Sequence, residues 1–400
     1  MNNTDQLTGI RELNVYAHGD SSEISTWSNV PYLFTETLIK KGIKVNRIDI
    51  NPRPLPEKFF NRYVWRVIRK LTGKDDFYGY IRTGMNHAEV KKRIAKAVKQ
   101  YPNAEAEIFI SFSHSASHCS KKPSILFGDW TIAYHFDYFL EKKPGSLERA
   151  SIRRQDEEME SAGLIISLFP GITRYLKNYY RNPNIQYIGN VVNRIWDEPS
   201  ADLPLSKKQS KNILFIGSRR YREGALQLVE AFRQLRGQGM ELQLHIIGMK
   251  KEDLSLSDHD IFAYGYLDKG DPAQRKQYYQ LLQDARVIVN TTDKWGAFSS
   301  MVEAMYFYTP VITTPYNEFV ETFGQQIPFG FYSAATVVSL KNCLENIFTA
   351  TDYPAMCYSA HEQVKDFTWD NYIDQLLENI RKLPAFDQQK KDQTVPADRI

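Results

Sequence analysis

Apolar positions along this chain fall into short strand-like runs separated by longer stretches of helical spacing. In the first half, strands are predicted at Leu13–Tyr16, Lys44–Ile50, Glu107–Phe112, Ser124–Phe127, Gly163–Ser167 and Ile185–Ile188. Helices are predicted at Pro31–Lys41, Ala88–Gln100, Leu147–Ser161 and Ile172–Tyr180. The opening strand, helix and strand form a βαβ unit, so a parallel α/β architecture is the natural continuation. A second series starts at Ile213–Ile216, followed by a helix at Gly224–Arg236 and strands at Leu242–Ile247, Ile261–Tyr264, Val287–Asn290 and Val311–Thr314. The polar, proline-containing stretch 196–211 between the series reads as a linker. Two α/β domains are therefore expected, 1–195 and 212–368, followed by a helix at 369–383 and a polar, disordered tail at 384–400.

Three turns at strand ends carry candidate chemistry. After the Val287–Asn290 strand, Trp295-Gly296-Ala297-Phe298-Ser299-Ser300 leads into a helix bearing Glu303. A small-residue loop at a helix start bares backbone N–H groups and the positive end of the helix dipole, which suits phosphate. Glu303, one turn inside, could accept hydrogen bonds from sugar hydroxyls. It also completes a capping box with Ser300, a purely structural role. After the Ile213–Ile216 strand, Gly217-Ser218-Arg219-Arg220-Tyr221-Arg222 crowds three guanidinium groups beside a glycine, a pattern suited to bidentate phosphate binding. The alternative is a solvated basic turn. Tyr264-Gly265-Tyr266 ends a third strand, either as a stacking surface or as a buried aromatic strand end.

Together these segments resemble the nucleotide-sugar site of GT-B glycosyltransferases, most closely the family 4 retaining enzymes. Glu303-Ala304 and Thr309-Pro310-Val311-Ile312 match the second half of that family's paired-glutamate motif, and the matches run in family order from about Ala162 to Phe319. Two departures stand out. Trp295 occupies the place of the first glutamate, with Asp293 nearby as a substitute carboxylate, and Glu223 replaces the lysine that normally precedes Gly224. The resemblance implies two Rossmann-like α/β domains facing each other across a cleft, with an acceptor-side N-terminal domain. Residues 212–368 would form the nucleotide-sugar domain, and the last helix would pack back on the first domain. It implies transfer of a hexose-type sugar from a nucleotide-diphosphate donor to a hydroxyl of a glycan or lipid-linked glycan, with retention and no metal or other cofactor.

On that reading Gly217, Arg219, Arg220, Arg222, Tyr264, Gly265, Tyr266, Trp295, Gly296, Ala297, Phe298, Ser299, Ser300 and Glu303 face the donor, and Gly19 and Asp20 form an N-terminal loop opposite its phosphates. Asp129, His135 and His114 are the candidates for positioning the acceptor hydroxyl. Three alternatives use the same fold: a nucleotide-sugar epimerase, a scaffold without catalysis, and an inverting transferase with Asp20 or Asp129 as base. Asp258-His259-Asp260 resembles a metal-binding triplet but precedes a strand and reads as a solvated turn.

Composition narrows the setting. A net charge of +4 is too small to imply nucleic acid, and three scattered cysteines form neither a disulfide framework nor a zinc pattern. The polar N-terminus lacks signal-peptide order and no apolar run is long enough for a membrane span, so a cytoplasmic location is expected. Residues 56–74 form a basic amphipathic segment. Phe59, Phe60, Tyr63, Val64, Val67, Ile68 and Leu71 lie at helical spacing among Lys58, Arg62, Arg66, Arg69, Lys70 and Lys74. Such a helix predicts peripheral contact with the inner face of a membrane, where a lipid-linked acceptor resides; the alternative is an ordinary core-packed helix. A role in surface-polysaccharide biosynthesis is the resulting expectation.

Overall fold

The computed structural model describes residues 9–72, 78–292, 294, 298–384 and 386. The chain divides into two compact units, Met1–Gly189 with Trp369–Ile400, and Asn190–Thr368.

The first unit is built on a six-stranded parallel sheet. Its strands are β1 (Glu12–Ala17), β2 (Lys44–Asp49), β3 (Ala106–Phe109), β4 (Ser124–Gly128), β5 (Leu164–Ser167) and β6 (Ile185–Tyr187), in the order β2-β1-β3-β4-β5-β6. From β1 the chain steps to one side for β2 and to the other for β3. The strand order therefore reverses between β1 and β3, and open parallel sheets bind ligands at such a point. β1 is buried along its whole length despite Glu12 and Asn14, because these polar groups are satisfied across the ladder. Asn14 and the Tyr16 hydroxyl donate to Glu107 at 3.0 and 2.7 Å, and Asn46 donates to Glu12 at 2.7 Å.

The helix Trp369–Arg381 belongs to this unit although it follows the second unit in the sequence. Its apolar side chains recur at positions 369, 372, 373, 376, 377 and 380, one face of a 3.6-residue period, and all are buried. It packs on the helix Val30–Lys40: Trp369 meets Phe34 edge-on, and Lys41 binds Asp374 at 2.8 Å. Phe386 is buried as well, so the chain stays packed past residue 384; residues 387–400 lie outside the described set.

The second unit repeats the plan with β7 (Asn212–Ile216), β8 (Gln243–Ile247), β9 (Ile261–Gly265), β10 (Ala285–Asn290), β11 (Val311–Thr313) and β12 (Gly330–Tyr332), all parallel, in the order β12-β11-β10-β7-β8-β9. Here the reversal falls between β7 and β10. β10 is wholly buried, which explains its continuous apolar run. β12 has no counterpart among the expected strands. It holds three residues, and Gly330 lies so close to β11 that a Cβ would sit 1.9 Å from the Val311 carbonyl oxygen.

Two expectations change. Residues 196–211 are part of the second unit rather than a free linker. They contain the helix Leu203–Lys207, and the Lys207 ammonium is buried, donating to the carbonyls of Leu282 (2.7 Å) and Ala285 (2.9 Å) and to the Thr309 hydroxyl (3.0 Å). The basic segment is two helices, Pro54–Phe59 and Trp65–Thr72, joined through a π-helical turn at Phe60–Val64. The extra residue in that turn splits the single predicted apolar face in two. Phe60 and Trp65 pack inward with Tyr78 and Tyr80, while Leu55, Phe59, Tyr63, Val67 and Leu71 form an outward stripe, each 52–81% exposed. Lys74 lies outside the described residues.

Candidate functional site

In the second unit, the turns after β7 and β10 meet at the reversal point. Contact is close: a Cβ on Gly224 would lie 2.2 Å from the Thr291 hydroxyl. Gly217 donates its N–H to the Ile247 carbonyl at 2.9 Å, and Gly248, with φ +100°, lies where a Cβ would be 2.4 Å from the Gly217 carbonyl oxygen. Glycine is thus required at 248 on two counts, left-handed backbone and space. These contacts bring the ends of β7, β8 and β10 into one surface.

The three arginines of the first turn have separate fates. Arg219 pairs with Asp253, and Arg222 donates to the Asp253 carbonyl at 2.7 Å. Arg220 meets no carboxylate among the described residues; its neighbour is the Tyr221 hydroxyl. Arg220 is therefore the guanidinium left for an anion. Opposite it in the chain, the helix Ser299–Tyr306 starts without a side-chain cap. The N–H groups of Ser299 and Ser300 have no acceptor among the described residues, and Ser299 is exposed. Trp295, Gly296 and Ala297, like Asp293, lie outside the described residues. Phe298 precedes the helix with its ring packed on Phe319 and Phe323.

The capping box does not form, because Ser300 and Glu303 both lie inside the helix and Glu303 turns inward. Its carboxylate is 2% exposed and accepts from three side chains: Lys269 (2.7 Å to each oxygen), Tyr278 (2.9 Å) and Tyr279 (2.8 Å). The Lys269 ammonium also stands 4.2 Å over the Tyr278 ring. Burial draws the Lys269 pKa down, opposed by the charge of Glu303. Glu303 thus ties its own helix to the helix Pro272–Asp284, and binding a ribose hydroxyl would require displacing one of these partners. The sequence contains the signal, Tyr278-Tyr279 on a helix facing a buried acid, but no spacing rule reveals a contact across 24 residues.

At the end of β9, Gly265 has φ +72°, the Tyr264 hydroxyl is hydrogen-bonded to His245 at 2.8 Å, and Tyr266 is 70% exposed. Of this trio only Tyr266 presents a free aromatic surface. Asp258 and Asp260 are paired with Arg233 (2.7 Å) and Arg236 (2.7 Å). No group of three or more His, Cys, Asp or Glu side chains that could hold a metal occurs among the described residues.

In the first unit, a cavity of about 260 Å³ lies at the strand ends beside the reversal point between β1 and β3, and a larger one of about 490 Å³ lies elsewhere, walled by Ala133, Phe136, Arg149, Ile152 and Tyr179. The smaller cavity gathers His18 after β1, Ser113 and His114 after β3, His87 from the helix Gly84–Gln100, and Arg154 from the helix Ser146–Ser161. The imidazoles form a row: His87 stacks on His114 at 5.0 Å, and His114 lies 6.2 Å from His18. Glu158 closes the row, 3.2 Å from His87 and 2.9 Å from Lys91. Burial pushes the His114 pKa well down and that of His18 to about 4, so both rings are neutral near pH 7.

Asp129 and His135 do not line this cavity. Asp129 accepts from the Trp130 N–H at 3.0 Å, and burial lifts its pKa to about 6. The His135 ring packs against Phe136 and Phe139. The Asp20 carboxylate accepts from the N–H and hydroxyl of Ser22 at 2.8 and 2.6 Å, closing its own turn, while Gly19 (φ +102°) donates to Asp49 at 2.9 Å. Asp20 is thus a turn-closing residue, and His18 beside it is the one that enters the cavity.

Comparison with known proteins follows this geometry. Residues 210–340 match the family model of "Glycosyl transferases group 1", which spans the arginine turn and Glu303. No curated protein matches the chain significantly. Among solved structures, a glycosyltransferase from Rickettsia africae aligns with TM-score 0.62 at 15% identity, covering 94% of this chain and 99% of that one. Sucrose-phosphate synthase from Thermosynechococcus elongatus gives 0.66 at 15% identity, covering 93% and 99%. The HepE protein of Anabaena, solved with UDP and glucose, gives 0.58 at 13% identity, covering 94% and 100%. The fold is GT-B. In a GT-B chain the glycosyltransferase-group-1 match falls on the second unit, where the Arg220 turn and the uncapped Ser299 helix converge.

Proposed function

We propose that this chain is a nucleotide-sugar-dependent glycosyltransferase, moving a hexose-type sugar to a hydroxyl of a glycan or lipid-linked glycan with retention and without a metal. The observation that carries the reading is the β7/β10 reversal point. There an arginine without a carboxylate partner and two helix-start N–H groups without an acceptor, among the described residues, lie on adjoining turns within the segment matched by the group 1 family. Backbone N–H groups and a guanidinium stabilise developing charge on a leaving diphosphate without reorganising, and losing one such donor typically lowers rate about a hundredfold or more. Tyr266 offers a face for the base, and Glu303 acts as a positioning residue through Lys269, Tyr278 and Tyr279. Asp129 and His114 are the acceptor-positioning candidates; His135, engaged in aromatic packing, is not retained.

HepE is solved with UDP-glucose, which makes uridine diphosphate sugars the first donors to test. A thermal-shift series of UDP, GDP, dTDP and CMP sugars on the wild type and Arg220→Gln tests the site. One nucleotide class at 100 times its Kd should stabilise by about 2.7 kcal/mol, and Arg220→Gln should weaken that class about tenfold. A silent series would overturn the donor reading and leave the scaffold alternative.

Contact with an anionic membrane surface belongs to the same reading. The outward stripe Leu55, Phe59, Tyr63, Val67 and Leu71 is flanked by Lys58, Arg62, Arg66, Arg69 and Lys70, while the opposite side is anchored by Phe60 and Trp65. Apolar insertion plus cations is the chemistry of interfacial helices. No helix of the described residues is long and apolar enough to cross a membrane.

A further inference from the structure

The 260 Å³ cavity of the first unit has a composition that the transfer reading uses only at His114. Two arginines (Arg82, Arg154) and three histidines (His18, His87, His114) line it, and no carboxylate does. The acids behind it are already matched. Glu158 accepts from Lys91, His87 and the Ser115 hydroxyl (2.5 Å), and Asp49 accepts from the N–H groups of Gly19 and Asn51. Arg154 is held in place by the Arg82 carbonyl at 2.6 Å, whereas the Arg82 side chain meets no carboxylate among the described residues. His114 is 3% exposed, yet its Nδ1 has no hydrogen-bond partner, and neither does Nδ1 of His18. Buried polar atoms are normally paired, and two of the residues lining this one cavity carry such an orphan, which singles the cluster out. The location agrees independently, because the cavity lies at the strand-order reversal between β1 and β3.

We propose that this cavity is an oxyanion site that takes a phosphoryl or carboxylate group, held by Arg82, Ser113 and the imidazoles of His18 and His114. Each neutral imidazole carries one N–H, which can donate to the anion. Arg82 supplies the charge and a fork of donors. A neutral polyol would leave the two guanidinium groups without a counter-charge, which is why an anionic ligand is favoured over a plain sugar. The assignment of that anion to the acceptor rests on the transferase reading; the site itself does not.

The test is calorimetric titration of the full chain, without donor, using inorganic phosphate, glucuronate and glucose. The expected result is saturable binding of phosphate and glucuronate, at least tenfold weaker in Arg82→Gln and in His114→Gln, with no binding of glucose. Equal phosphate affinity in wild type and Arg82→Gln would mean an adventitious ion only and would overturn the proposal. Glucose binding as tightly as glucuronate would replace it with a hydroxyl pocket. The half-buried Arg82 side chain makes Arg82→Gln the safer variant if His114→Gln does not fold. Nucleotide binding, scored separately through Arg220→Gln, distinguishes failure of this site from failure of the donor reading: phosphate binding that survives a silent nucleotide screen keeps the oxyanion site and rejects the transferase.

Discussion

Replacing Glu303 with alanine removes the acceptor shared by Lys269, Tyr278 and Tyr279. Lys269 would then keep only the Asn193 carbonyl at 3.4 Å, and the Tyr278 hydroxyl would lose the only partner it has here, whereas Tyr279 would still accept from the Ile195 N–H at 2.8 Å. Breaking a buried ion pair from one side typically costs about 3–5 kcal/mol, because the other charge stays buried. That range is the expected loss for Glu303→Ala. Glu303→Gln keeps one acceptor oxygen where the two tyrosines now have one each, and should lose less. The double variant Glu303→Gln/Lys269→Met is neutral, and it should recover most of the loss, giving a coupling of at least about 1.5 kcal/mol. Urea unfolding of the full chain measures the cycle, and hydrogen exchange over residues 272–284 and 299–306 shows whether opening is local. A loss under about 1 kcal/mol, or strict additivity, would refute the pair. The same variants decide the role of Glu303. A positioning residue predicts that Glu303→Gln, once folded, binds nucleotide within a few-fold of wild type. A hundredfold loss with unchanged exchange would make Glu303 a direct ligand and refute the argument.

Other perturbations act on separate parts of the chain. Lys207→Met removes the buried donor shared by the Leu282 and Ala285 carbonyls and the Thr309 hydroxyl, leaving the 3.3 Å bond from Thr309 to Leu282, and should destabilise by about 1–3 kcal/mol by urea unfolding, on the usual penalty for unsatisfied groups. Gly248→Ala should be poorly tolerated and should lower nucleotide affinity along with stability, since the new Cβ must push the Gly217 turn away; a neutral result in both assays would contradict the close approach. The buried His18, with its pKa lowered from 6.5 to about 4, binds fewer protons folded than unfolded between those values. Stability should therefore fall as pH drops from 6.5 toward 4, by up to about 3 kcal/mol, and His18→Gln should flatten that slope in denaturation midpoints taken across the window. Replacing Arg62, Arg66 and Arg69 by glutamine should abolish sedimentation with phosphatidylglycerol vesicles, at about 1 kcal/mol per basic residue near the surface, and wild-type binding to neutral phosphatidylcholine should be weak.

Much of the fold was legible because strand and helix periods are local. Continuous apolar runs such as Val287–Asn290 announce buried parallel strands, and the i, i+3, i+4 pattern of 369–380 announces a packed helix. Local pattern also showed that glycines, arginines and a helix start lie together in the turns after β7 and β10. What it could not decide was which partner each side chain chooses. Three arginines in one turn look equivalent until Asp253, 31 to 34 residues away, takes two of them and leaves Arg220. Ser300 and Glu303 have capping-box spacing, but the helix begins at Ser299 and Lys269, Tyr278 and Tyr279 draw the carboxylate inward. One π-helical turn divides a single apolar face into an anchor and an exposed stripe. The histidine row joins residues 18, 87 and 114 only because β1 and β3 end where the helix Gly84–Gln100 begins. Periodicity depends on neighbours within about one turn or one pleat, so the chain alone determines it. Charge pairing and burial depend on distances set by the strand order, and those exist only once the sheets have formed.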